Sequence, residues 1–137
     1  MSENPYSLLY HQLANEIEPF LQAVISGKRD VASQDPFNEA WFAVALFHIE
    51  PATPVPLEEV LYTADGINHA IPNPDEIAWA FFCLLKRGWL MTQGNTYGLT
   101  NEGRDAIKRI VSKSKGRIYN ELEELKGWVS THAPPSK

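Results

Sequence analysis

Between Asn73 and Thr100 the sequence marks where helix must stop and strand must begin more tightly than anywhere else in its 137 residues. Asn73 is a side-chain acceptor in an N-cap position. Pro74 suits the first helical turn, where its missing N–H is not needed, and Glu76 falls at N3, which completes a capping-box pattern. A strongly apolar helix follows from Ile77 to Arg87, and Gly88, free to adopt a positive φ, closes it. The chain then reads Trp89-Leu90-Met91-Thr92, Gln93-Gly94-Asn95, Thr96-Tyr97-Gly98-Leu99: strand, tight turn, strand. Thr100 is placed to cap a further helix through Val111. A helix stop that leads directly into a hairpin and out into another helix leaves few topologies open.

The flanking segments are helical. Leu9, Leu13, Ile17, Phe20, Leu21 and Val24 recur at helical spacing from Tyr6 to Ile25, with Pro19 inside. Proline lacks an N–H and crowds the preceding turn, so a kink or two short helices are expected there. Residues 26–34 read as a polar linker. Asp35-Pro36 opens a helix bearing Phe37, Trp41, Phe42, Ala45, Leu46 and Ile49, a broad apolar stripe that belongs in a core. Three prolines in the seven residues 50–56 end it, and an amphipathic helix with Leu57, Val60, Leu61 and Ala64 follows. Ser112 to Gly116 reads as a break before a last helix from Arg117 to about Ser130. The expected organisation is a helical extension and linker (1–34), a central domain (35–112), a C-terminal helix (113–132) and a disordered tail (133–137).

This order of helix, Pro-rich loop, helix, capped helix, hairpin and helix resembles the winged helix-turn-helix superfamily. The resemblance is carried by Leu84-Leu85-Lys86-Arg87-Gly88-Trp89-Leu90 and by Tyr97-Gly98-Leu99-Thr100-Asn101-Glu102-Gly103-Arg104, which are similar to the helix end and hairpin return of MarR- and PadR-type regulators. It implies a mainly α (α+β) fold with one short hairpin and extra terminal helices. It further implies a DNA-binding transcriptional regulator acting as a homodimer, with residues 73–87 as recognition helix and Gln93-Gly94-Asn95 as wing tip.

The residues themselves pull against DNA. The net charge is −5, Asp75 and Glu76 stand where a recognition helix would meet the duplex, and the wing is uncharged. A 100° step per residue places Asp75, Trp79, Phe82 and Lys86 on the face opposite Ile77, Phe81 and Leu84. Two large aromatics there suggest a covered or partner-binding face. The counterweight is residues 104–117, with six cations against one acid. The candidate phosphate contacts are therefore Lys86, Arg87, Arg104, Lys108, Arg109 and Lys113. A protein–protein interaction or assembly module on the same fold is the alternative.

Ile118, Leu122, Leu125 and Val129 form a short a/d seam, able to pack on its own domain or on a second copy. With Trp79 and Phe82 they are the candidate partner interface. Catalysis is not expected: the four histidines are scattered, the single cysteine, Cys83, lies in an apolar helix, and there is no Gly-rich phosphate loop. No cofactor or metal is implied. No apolar run reaches membrane-spanning length, and Met1 to Pro5 lacks a signal-peptide pattern, so no membrane partner and a cytoplasmic location are expected.

Overall fold

A computed structural model describes residues 5–49, 54–70 and 72–134. Within them the chain is mainly helical with a small antiparallel sheet, in the order α1 (Pro5–Ile25), α2 (Pro36–His48), β1 (Val55–Pro56), α3 (Leu57–Asn68), α4 (Pro74–Lys86), β2 (Leu90–Gln93), β3 (Thr96–Leu99), α5 (Asn101–Ile110), a 3-10 turn (Ser112–Ser114) and α6 (Ile118–Thr131). Part of the Pro-rich loop, residues 50–53, and the tail from residue 135 lie outside the described residues.

Local chemistry sets the boundaries. The Asp35 side chain accepts from the Phe37 N–H at 2.9 Å. At α4 both halves of the capping box form: Asn73 accepts from the Glu76 N–H and Glu76 accepts from the Asn73 N–H, each at 2.9 Å. At its other end the Trp89 N–H donates to the Leu84 carbonyl and the Gly88 N–H to that of Leu85. Gly88 has φ +79°, so the helix ends in a Schellman motif. Gln93 pairs with Thr96 across Gly94-Asn95, and φ +62° at Gly94 matches a primed turn, whose twist suits a hairpin.

Two elements differ from expectation. α1 runs through Pro19 as one helix, not as two short ones. Asn15, whose carbonyl would have received the missing N–H, is exposed, while Ile17 and Leu21 on either side of Pro19 are buried. Water can satisfy the freed carbonyl, and the packed face holds the helix together across it. The sheet also has a third strand. Val55-Pro56 pairs with Tyr97 and Thr96, giving the order β1-β3-β2. Pro56 can serve there because an edge strand does not need every N–H.

α2 is the centre. Every residue from Asn38 to Leu46 is buried, as befits a helix that is apolar nearly all round. It packs on α3, α4 and α6, while α1 lies on α3 and α4. Phe42, Phe81 and Tyr97 join α2, α4 and β3 edge to face, with centroids 5.7 and 5.2 Å apart. The Trp41 Nε1–H is satisfied by the Ala64 carbonyl at 2.8 Å. The Tyr97 hydroxyl donates to Glu18 at 2.5 Å and accepts from Gln22 at 2.6 Å, and Gln22 also reaches the Gly94 carbonyl at 3.4 Å. α1 is thereby fastened to the hairpin.

The return from the hairpin is tight. Thr100 Oγ1 accepts from the Gly103 N–H and donates to the Gly88 carbonyl. A Cβ on Gly103 would lie 2.7 Å from the Trp89 Cβ and 2.8 Å from its Cα and carbonyl oxygen. Gly103→Ala is therefore expected to lower unfolding free energy by about 1–3 kcal/mol through overpacking. Gly127→Ala in α6, where a Cβ meets nothing within 4 Å, should raise it by about 0.5–1 kcal/mol. Urea titration of both variants checks the contrast.

Candidate functional site

The C-terminal end of α4 holds the strongest electrostatic feature of the described residues. Glu39 lies on the buried face of α2, and the Arg87 guanidinium meets it with both Nε and Nη2. The two side chains are 4 % and 5 % exposed respectively. Burial pushes the Glu39 carboxyl above the usual carboxylate range, and the hydrogen bonds and charge of Arg87 pull it back. The guanidinium also sits 5.4 Å from the Trp89 ring and 5.1 Å from the Trp128 ring. These indoles stack on each other at 5.5 Å, and His132 stacks on Trp128 at 4.2 Å. Arg87 is therefore a cation held between a carboxylate and two aromatic faces.

That placement corrects the expectation for Arg87, which is enclosed and cannot meet a phosphate. Arg104 is half-buried; it donates to the Phe47 carbonyl at 3.2 Å, in the last turn of α2, and lies over the Phe47 ring. Lys86 is half-buried with its ammonium 5.4 Å from the Phe82 ring. Lys108, Arg109 and Lys113 are exposed and follow one another through the end of α5 into the 3-10 turn, where cations suit a helix C-terminus. Of six candidate phosphate contacts, these three stand free at the surface.

The aromatic face of α4 forms as its spacing implies. Trp79 and Phe82 are half-buried and stacked, with centroids 6.1 Å apart, and the Trp79 Nε1–H has no hydrogen-bond partner. On α6, Leu122, Leu125 and Val129 are buried in the chain's own core, and α6 packs on α2. Of that seam Ile118 is exposed, at 39 %. The other three are filled positions with no apolar surface left for a second copy to cover.

A groove of about 510 Å³ lies between the ends of α2 and α3 and the start of α6, lined by His48, Tyr62, Asp65, Ile67, His69 and Ile118, among others. The His48 Nε2 lies 2.5 Å from Oε1 of the buried Glu121. His69 ends α3 in the left-handed region at φ +53°, a conformation that costs a non-glycine residue about 1 kcal/mol. Sequence spacing does not assemble this groove. The available signal for the α2 cluster was Glu39 itself, an acid inside an apolar run, which demands a partner once buried.

The described residues hold no group of three or more potential metal ligands. Burial, reinforced by the Glu39 charge, pushes the Cys83 thiol well above its ordinary value, which suits packing and not nucleophilic attack. No described helix is long and apolar enough to cross a membrane. Compared with known proteins, the chain matches no family model, no curated protein and no solved structure.

Arg87→Met should cost about 3–5 kcal/mol, because it leaves the Glu39 carboxylate buried and unpaired, while Glu39→Met with Arg87→Met should regain most of that loss. In the single variant Glu39 has burial without its counter-charge, so its folded pKa stays raised. The folded state then binds the proton that the unfolded state releases, and stability falls as pH rises through the raised value. Denaturant melts across the acid range should show the single variant's deficit shrinking at low pH.

Proposed function

We propose that this chain is a winged-helix protein that binds a protein partner through the outer face of α4. The element order supports the fold: a helix, a strand, two helices, a hairpin and a helix, with Gly88 and Thr100 turning the chain into and out of the hairpin. The observation that carries the functional reading is the composition of the α4 surface. Its outer side carries exposed Asp75, the half-buried and stacked Trp79–Phe82 pair, and half-buried Lys86 against Phe82, while Arg87 is withdrawn into its pair with Glu39. Rigid aromatics beside one cation are what protein interfaces favour. Phosphates call for a cationic helix start and a free wing, whereas the first turn of α4 carries Asp75 and Glu76. The hairpin turn is uncharged and bonded to Gln22 of α1.

A DNA-binding transcriptional regulator is the second reading. It is favoured by the exposed run of Lys108, Arg109 and Lys113, which would hold phosphates without reading sequence. Catalysis has no support in either reading.

Fluorescence titration of a labelled duplex at two salt concentrations separates the two. Protein binding predicts no salt-sensitive association and no effect of Lys108→Glu with Arg109→Glu. DNA binding through three cations predicts a slope of about −3 in log affinity against log salt, lost in the reversed variant, and that result would overturn our reading.

A further inference from the structure

The large apolar side chains left exposed among the described residues are Leu8, Leu9, Tyr62, Ile118 and Tyr119. Tyr62 and Ile118 line the groove at the start of α6. Tyr119, the next residue, is 71 % exposed. All of residues 115–120, Lys115-Gly116-Arg117-Ile118-Tyr119-Asn120, are exposed, and with Ile118 lining the groove they form a basic and apolar ridge at its edge. Across the groove α3 offers the complement: Glu59 is exposed one turn before Tyr62 and Thr63, and Asp65 lines the floor. None of the ion pairs among the described residues involves Lys115, Arg117 or Glu59.

The geometry points to a two-fold homodimer in which the ridge 115–120 of each copy lies over α3 and the groove of the other. A two-fold interface is isologous: one patch must carry both members of every complementary pair. This patch does, with a basic, apolar ridge on one side of the groove and an acidic, aromatic helix on the other. A foreign partner would require just one of the two. In the dimer Arg117 faces the partner's Glu59, and Ile118 and Tyr119 cover the partner's Tyr62. This surface shares no residue with the α4 face, so the inference stands whether or not that face binds a protein.

Sedimentation equilibrium on the full chain, from micromolar to high micromolar concentration, reads the association directly. The expected result is a monomer–dimer equilibrium weakened about 30-fold or more by Tyr62→Glu, the loss typical of a central contact. Arg117→Glu and Glu59→Arg should each abolish self-association by setting like charges opposite one another. An equimolar mixture of those two variants should form a heterodimer, since every contact then pairs an acid with an arginine. Circular dichroism melts establish that the variants, all at exposed positions, remain folded. A chain that stays monomeric throughout, leaving the groove to some other molecule, overturns the proposal. So does a dimer indifferent to these substitutions, or a mixture of the two reversed chains that fails to associate.

Discussion

Glu39 lies in the middle of a helix that is buried on nearly every side, and a carboxylate there has to be compensated or the core cannot close around it. Arg87 supplies the compensation with two nitrogens, and the apolar faces of Trp89 and Trp128 close over the rest of the guanidinium. Four segments meet at this one charge pair: the central helix, the end of α4, the first residue leading into the hairpin, and α6. The pair need not add stability over an apolar equivalent of the same shape. What it does is orient, because a bidentate contact tolerates one approach and one register.

The same pair separates what could be read along the chain from what could not. The caps at Asn73 and Thr100, the stop at Gly88 and the turn at Gly94 are contacts between residues a few positions apart, so spacing reveals them. The destination of Arg87 depends on a residue 48 positions away, and no local pattern distinguishes a cation bound for a carboxylate in the core from one bound for solvent. The a/d spacing of α6 marked an apolar stripe, but which surface that stripe meets is a tertiary matter, and α2 takes Leu122, Leu125 and Val129. Proline rules are local too, and at Pro19 the helix continues because Ile17 and Leu21 are packed on either side. The strand at Val55-Pro56 is two residues long and exists because β3 lies alongside it. The groove by His48 and His69 joins three helix ends that no periodicity connects.

Charge is thereby sorted into two populations. Arg87 and Arg104 are structural, holding the ends of α4 and α2 against their neighbours, whereas Lys108, Arg109 and Lys113 remain in solvent. α1 adds to the sorting. By bonding through Glu18 and Gln22 to Tyr97 and the hairpin turn, it makes the hairpin part of the body rather than an arm. Among the described residues the large apolar side chains that remain exposed are Leu8, Leu9, Tyr62, Ile118 and Tyr119.

The column of Trp89, Trp128 and His132 beside Arg87 has a further, optical consequence. Two indoles held at 5.5 Å and 27° are close enough for their electronic transitions to couple, and one belongs to the approach to the hairpin while the other belongs to α6. A coupled ultraviolet signal from the pair would therefore report the distance between two elements, not the state of either. Lifting α6 from α2 would erase it even with every helix intact, so the chain carries its own gauge of whether its last helix is docked.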